Sequence, residues 1–337
     1  MPNSLPSFRT ICYYVLVGIA TLTIVVTLLS LLHNIPIWWI KVLDFPRPQF
    51  LGLALLCLLL FVWLERRWTV GAWALVVGLV TAVGWQAYFV LPYTPLFSPT
   101  LVDATPAQAA DTANTVSLLQ ANVLMKNRNV ADLLTIIRKA DPDIVLLEET
   151  NKWWERAVVS LEKTYPYQLK HPLPDTYGML LYSKFPLQSP ETRFFQHPNV
   201  PSFHTRVQLP SGRFINLHTE HPVPPVPSKH PYNKHEKEEE MLEVGDLVDS
   251  ESPPTLVVGD FNDVAWSNTS RLFQAKGRLN DVRVGRGLYP TFDAKSVFMR
   301  WPLDHVYATD ELRVVQLQRL NSFGSDHFPL YIELALQ

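Results

Sequence analysis

Three uncharged apolar runs follow one another at the front of this chain, and they constrain its first 91 residues more than anything else in it. Residues 11–32 hold 22 positions without a charge, residues 50–64 hold 15 and residues 69–91 hold 23. A helix needs about 20 apolar residues to cross the hydrocarbon core of a bilayer, and the first and third runs meet that alone. The second does so when Pro48 and Gln49 extend it to interface depth, and Glu65, Arg66 and Arg67 then close it. We expect three transmembrane helices near residues 11–32, 48–64 and 69–91, forming a membrane anchor over residues 1–91. A cleaved signal peptide would account for the first run only, and that run is too long for one. Trp38, Trp39, Trp63, Trp68 and Trp85 fall at or near the run ends, where interfacial aromatics collect.

The positive charges orient the anchor. Arg66 and Arg67 place the loop between the second and third runs in the cytoplasm, and no Lys or Arg lies between Trp68 and Met125. Three spans then put the N-terminus in the cytoplasm and the remainder of the chain on the extracytoplasmic side. Lys41 and Arg47 oppose this assignment, and Arg9 with the terminal amino group balances them.

Behind the anchor the composition changes. Five Lys/Arg and four Asp/Glu precede Val116, so 24 basic and 27 acidic residues follow. That balance excludes a strongly basic nucleic-acid scaffold. Both cysteines, Cys12 and Cys57, lie in the apolar part, so the polar part has no disulfide framework, cysteine zinc site or thiol nucleophile. Residues 92–115 carry Pro92, Pro95, Pro99 and Pro106 and show no apolar period, which reads as an extended linker.

From residue 116 to the end at 337, strand and helix patterns alternate. Short apolar runs at 116–121, 144–147, 178–183, 203–209, 214–218, 255–258, 306–308, 312–317 and 330–334 read as strands. Residues 129–140 carry apolar positions at a helical period and end at Asp141-Pro142; residues 153–161 and 235–248 also read as helices. The acidic stretch 236–240 is expected to be a solvated helix face. Helices at both ends and hairpins in the middle suggest two packed sheets covered by helices.

Six places set polar, chemistry-bearing residues at the edge of an apolar strand: Asn122, Glu148/Glu149, His218/His221, Asp260/Asn262, Asp304/His305 and Asp326/His327. Strand ends fix such residues while the adjoining loops leave them accessible. Carboxylates and amides without thiols suit a hard, oxygen-preferring cation such as Mg²⁺, with Mn²⁺ as the alternative. A nearby histidine moves protons near neutral pH. There is no Walker loop, H-E-x-x-H or G-x-S-x-G, which argues against an NTPase, a zincin or an α/β-hydrolase.

The segments "LLQANV", "DPDIVLLEET", "VVGDFND", "PLDHVYAT" and "GSDHFPL", in this order, resemble the endonuclease/exonuclease/phosphatase (DNase I-like) family over roughly residues 116–334. The resemblance implies an α/β fold, a four-layer sandwich of two packed mixed sheets flanked by helices. It implies a metal-dependent phosphoesterase that attacks a phosphate ester in line with water. Carried onto this sequence, Asn122, Glu149 and Asp326 match the metal region. Asp260 matches the residue that orients the water, Asn262 the amide that holds a phosphate oxygen, and His327 the catalytic histidine that Asp304 orients. Glu148 stands where the family pattern has Gln. A further His contacts the phosphate; we favour His221, in a His-Pro-x-Pro-Pro run shared with membrane-attached members, over His218. Arg206 is a candidate phosphate contact, and Thr291 and Trp301 lie where family members line substrate. Trp153, Trp154 and His305 are assigned to packing.

The expected partners are a phosphate-ester substrate, either nucleic acid or a lipid headgroup, and the bilayer itself through the N-terminal helices. The near-neutral domain lacks the basic excess that tight duplex binding requires. A non-catalytic, membrane-tethered binding module with the same fold is the alternative. A transporter is disfavoured, since the polar positions of the three spans are Thr, Ser and a Gln86 that we expect to be peripheral. Nothing in the sequence points to a protein partner.

Overall fold

The structure, a computed structural model, describes residues 7–32, 37–224, 236–252 and 254–337. It divides into two compact units, Met1–Pro92 and Tyr93–Gln337.

The first unit contains α1 (Phe8–Leu29), the short α2 (Trp38–Lys41), α3 (Arg47–Leu64) and α4 (Val70–Val90). Ser7 and Thr69 cap α1 and α4 by accepting backbone N–H groups of Thr10 and Ala72. Pro48 stands in the first turn of α3, where its missing N–H costs nothing. These three helices are long and apolar enough to cross a membrane. Small residues such as Ala20, Ala54, Cys57 and Ala82 are buried among them, while Leu59 and Trp63 face outward. Gln86 is not peripheral. It is buried, donates to Thr27 Oγ1 at 3.1 Å and accepts from Arg47 Nη1 at 3.1 Å, and Arg47 in turn pairs with Asp44. In hydrocarbon such groups must satisfy one another.

In the second unit, the described residues form two six-stranded sheets. The first takes β1 (Thr115–Asn122), β2 (Ile144–Glu148), β3 (Tyr167–His171), β4 (Met179–Ser183), β11 (Leu312–Arg319) and β12 (Leu330–Leu336) in the order β11-β12-β1-β2-β4-β3. The second takes β5 (Leu187–Arg193), β6 (Ser202–Gln208), β7 (Phe214–Thr219), β8 (Thr255–Asp260), β9 (Asn280–Asp281) and β10 (Asp304–Ala308) in the order β5-β6-β7-β8-β10-β9. Most neighbours are antiparallel; β1–β2 and β7–β8 are parallel. Those two crossovers contain α6 (Val130–Ala140) and α8 (Glu236–Ser250).

Side-chain alternation along each strand builds the layers. Leu118, Ile144, Leu146 and Leu181 of the first sheet meet Phe203, Leu217, Leu256 and Val258 of the second. Their neighbours Leu119, Val145, Leu147 and Leu180 point the other way, onto Leu133 and Ile137 of α6 and Trp154 of α7 (Lys152–Ala157). Val257 and Tyr307 point outward onto Met241 and Val244 of α8 and Phe273 of α9 (Asn268–Gly277). The result is helix, sheet, sheet, helix, with each fully buried aliphatic side chain contributing about 1.5–3 kcal/mol. Helix α6 starts where the Asn129 side chain accepts the N–H of Asp132 and stops at Asp141, in the left-handed region at φ 45°.

Among the elements that escape the sequence pattern are β3, β5 and α9, with the two-residue β9. β5 is largely exposed and carries a bulge between Gln188 and Glu191, β3 is an edge strand, and α9 buries only Ser270, Phe273 and Gly277. Each lacks a clean apolar period. The segment expected to be an extended linker is docked on the domain. Tyr93 donates to Ala265 O at 2.9 Å, Leu101 is buried between the sheets, and Val314 N donates to Val102 O at 3.0 Å. Arg286 pairs with Asp103, and a Thr105–Gln108 capping box opens α5 (Pro106–Ala110). Isolated anchors of this kind leave no period for composition to reveal.

Candidate active site

The polar residues named by the strand-end pattern meet where β1 and β2 of one sheet face β8 and β10 of the other. Within the sheets, Asn122 pairs in register with Glu148 and Asp304 with Asp260. The Gln120 amide donates within its own sheet to Glu148 Oε2 at 3.2 Å and across to the other sheet to Asp304 Oδ1 at 3.0 Å. Glu148 Oε1 accepts the backbone N–H of Asp260 at 2.6 Å. These bonds lock the two sheets beneath the cluster.

Asp260 is the hub. Its Oδ2 accepts from Asn122 Nδ2 at 2.9 Å, and its Oδ1 accepts from Asn262 N at 2.9 Å. Asn122 Nδ2 also donates to Glu149 Oε1 at 3.0 Å. His327 sits between the two aspartates, with Nδ1 at 2.8 Å from Asp304 Oδ2 and Nε2 at 3.5 Å from Asp260 Oδ2. Ser325 holds the chain before His327 by accepting its N–H at 3.1 Å and donating to Asn122 O at 2.8 Å. The Phe292 ring covers His327 at 5.0 Å between centroids. Glu149 and Asn262 have φ of 56° and 50°, an uncommon conformation for side-chain-bearing residues that is held where function needs a particular aim. Gly259 is required: a Cβ there would come 1.8 Å from Glu220 O. That close approach brings His221 Nε2 to 4.0 Å from Asp260 Oδ2.

The cluster is starved of positive charge. Burial, reinforced by Asp260 and Asp304, pushes the Glu148 carboxyl well above its usual range. Burial also raises Asp304, against the pull of His327. For His327 burial opposes the charged form, yet Asp304 and Asp260 push it up to about 10. Among the described residues no Lys or Arg forms an ion pair with Glu148, Glu149, Asp260, Asp304 or Asp326. Asp260, Asp304 and His327 each offer a possible ligand atom within 4.8 Å of the others, a group that could hold a metal ion only with His327 deprotonated. Its oxygen-rich, thiol-free chemistry fits a divalent cation.

Asn122, Glu149, Asp260, Asn262, Asp304, His327 and His221 are thus brought together. Asp326 lies half-buried at the edge, its charge adding to the rise of His327. Asn262 turns its Nδ2 to Pro222 O at 3.0 Å. Two candidates lie elsewhere. His218 and Arg206 occupy the outer face of the second sheet, because Leu217 and Val207 beside them face the inter-sheet core. His218 contacts His204 and Glu251, and the Arg206 guanidinium lies over Phe214 at 4.5 Å. Thr291 does not line a substrate surface: it is fully buried, and its Oγ1 accepts the N–H groups of Leu303 and Asp304 at 3.3 and 3.2 Å. Trp301 stacks on Phe292 at 6.2 Å and so stands one ring removed from His327. Glu240 departs from the expected solvated acidic face, being 1% exposed. Sequence reasoning missed Gln120, Ser325 and Phe292. Gln120 was findable, since it lies two residues before Asn122 on the same strand face.

The model of the Endonuclease/Exonuclease/phosphatase family matches residues 119–327. That is more than half of the chain, and the chain belongs to this family, whose members are metal-dependent hydrolases of phosphate esters. Among solved structures, an endonuclease/exonuclease/phosphatase from Beutenbergia cavernae DSM 12333 is similar in fold, with TM-score 0.52 and 16% identity over 66% of this chain and 72% of that one. D. rerio TDP2 complexed with single strand DNA product gives TM-score 0.52 and 17% identity over 65% of this chain and 98% of that one. Sphingomyelinase C from Streptomyces griseocarneus gives 0.50 and 15% over 65% and 99%. At such identities the likeness is one of fold. No curated protein matches the sequence.

Proposed function

We propose that this chain is a membrane-anchored, Mg²⁺-dependent phosphodiesterase, with Mn²⁺ as a substitute metal. The observation that carries the reading is the line Asp304–His327–Asp260, at 2.8 and 3.5 Å, in a carboxylate cluster to which, among the described residues, no Lys or Arg is paired. Glu149, Asn122 and Asp326 would hold the cation, which when bound polarises a phosphoryl oxygen and acidifies water. Asp260 orients the attacking water. Asn262 and His221 hold the phosphate oxygens. His327, kept protonated by its two aspartates, meets the charge that develops on the phosphate and serves the leaving group.

A lipid headgroup is the favoured substrate. Val297, Phe298 and Met299 are 75%, 84% and 51% exposed in the loop that also carries Phe292, and Lys295 and Arg300 flank them. An apolar tip with basic neighbours suits a bilayer surface. Arg66 and Arg67, with no Lys or Arg between Trp68 and Met125, support a cytoplasmic N-terminus and an extracytoplasmic domain. The Asp44 pairing of Arg47 weakens one of the two opposing charges, Lys41 being the other.

The test is a substrate panel on the detergent-solubilised full chain under Mg²⁺, Mn²⁺ and Ca²⁺, with phospholipid vesicles, single-stranded and duplex DNA, and a generic phosphodiester. Lipid turnover that tolerates salt supports the reading. Preference for DNA, falling steeply as salt rises, would transfer the site to a nuclease. Absence of any hydrolysis would leave the tethered binding module, while equal activity in Asp260→Ala, or full activity in EDTA, would reject the mechanism.

A further inference from the structure

Behind the catalytic histidine two arginines crowd one aromatic ring. Cζ of Arg319 lies 4.4 Å and Cζ of Arg300 5.1 Å from the centre of the Phe328 ring. Phe328 follows His327, and successive side chains of an extended segment point to opposite sides. The ring and its two cations therefore back onto the catalytic cluster instead of entering it. Among the described residues neither arginine forms an ion pair with a carboxylate. Arg319 Nη1 donates to Pro290 O at 2.7 Å. Arg300 Nε is buried and meets no acceptor. Burial, with the Arg300 charge beside it, lowers Arg319 below the ordinary guanidinium value.

Two like charges held against one ring repel, and each guanidinium has five N–H donors to satisfy. An anion beside them answers both needs, and the guanidinium fork fits the oxygens of a phosphate. The space for it is present. A cavity of about 680 Å³ is lined by Arg300, Arg319 and Gln318 together with Val297, Phe298 and Leu317. Its lining is thus part cationic and part apolar. A free phosphate would leave the apolar part unused. A lipid uses both, with its headgroup phosphate on the arginines and an acyl chain along Leu317, Val297 and Phe298. Val297 and Phe298 are 75% and 84% exposed, as suits residues that meet a bilayer.

We propose that Arg300, Arg319 and Gln318 bind the phosphate of an anionic phospholipid, at a site separate from the catalytic cluster. The site rests on the membrane-anchored reading, but not on lipid being the substrate. Arg300 adjoins Trp301, which stacks on Phe292, and Phe292 covers His327. A lipid held by Arg300 therefore pins the loop over the catalytic histidine, and membrane anions steady one wall of the active site.

The test uses the full chain in non-ionic detergent with EDTA, so that binding is read without turnover. Dioctanoyl phosphatidylglycerol is titrated in, and bound lipid is counted by native mass spectrometry. Wild type is expected to hold one phosphatidylglycerol that the double variant Arg300→Gln/Arg319→Gln binds about tenfold more weakly or worse. Dioctanoyl phosphatidylcholine, which has no net charge, should show no such difference. Phe298→Ser, at an exposed position outside the core, should weaken phosphatidylglycerol as well, and it serves as the folded check should the double variant lose Tm. Equal binding by wild type and both variants, or an equal loss for phosphatidylcholine, would overturn the site. Displacement of the lipid by inorganic phosphate at equal concentration would overturn the lipid assignment in favour of a soluble phosphate, and displacement by a single-stranded oligonucleotide would do so in favour of nucleic acid. Since no hydrolysis is read, failure here leaves the phosphodiesterase reading standing, and failure of the substrate panel leaves this site standing.

Discussion

The two units of this protein treat the same side chains in opposite ways. In the first, Leu59, Trp63 and Val70 are 68%, 79% and 87% exposed, while small or polar residues such as Ala20, Cys57 and Gln86 share the positions between helices with Phe61 and Leu79. In the second, Leu146, Leu181 and Phe203 are fully buried between sheets. An apolar side chain turned outward is already in its preferred medium when that medium is lipid, so helices in a bilayer associate through small residues and polar bonds. A domain in water must bury its large side chains instead. The contrast also appears in the polar groups. In the first unit Arg47, Gln86 and Thr27 bond to one another and Arg47 pairs with Asp44, whereas among the described residues the carboxylates of the active site have no Lys or Arg paired to them.

The comparison can be broken at several points. The largest effect is expected at the active site: Asp260→Ala should lower hydrolysis by about 10²–10⁴-fold, and EDTA should do the same reversibly. Membrane retention should be unchanged in both cases; loss of retention would mean that the two units are not separable. Next, Leu181→Ala should cost the domain about 2–5 kcal/mol, read as a lower Tm, while Leu59→Ala should leave the Tm of the domain unaltered. Equal effects would contradict the assignment of lipid as the medium around α3. Third, Val77→Arg, at an outward position of α4, should disfavour insertion by about 2.5–3.5 kcal/mol, read as extraction by alkaline carbonate. Were Val77 facing water, that change would be harmless.

The smallest effect concerns pH. The aspartates raise His327 to about 10 in the folded domain. Its stabilisation is therefore complete below the unfolded value of about 6.5 and is lost as pH rises through the folded value. Metal-stripped wild type should lose Tm across that alkaline window, and His327→Gln should lose less. Parallel profiles would show that the charge on His327 does not couple to folding.

Much of this was legible beforehand. The helix over residues 130–140 and the buried strands at 144–148 and 255–260 announce themselves by period and by β-branched content. The metal-region residues announce themselves by standing at strand ends. What stayed hidden shares one cause, the parity of side chains relative to a partner sheet. Sequence favoured His221 over His218 only through the run His-Pro-x-Pro-Pro; in the structure β7 carries His218 to the outer face and the turn beyond it carries His221 inward. Thr291 looks like a substrate contact and is a backbone prop for Asp304. Glu240 looks solvated in its acidic run and is buried.

Local chemistry alone determined that the chain has an apolar front able to cross a membrane, an α/β domain behind it, and a hydrolytic site of carboxylates, amides and histidine. Hydropathy, period and residue type are properties of neighbouring positions, and they survive without coordinates. Tertiary structure alone decided which of those groups meet. It docked residues 93–115 onto the domain, set Gln120 and Glu148 as the bridge between sheets, and turned His204, His218 and Glu220 to the far side. Those outcomes depend on register between strands far apart in sequence, where a shift of one residue exchanges the two faces of a sheet.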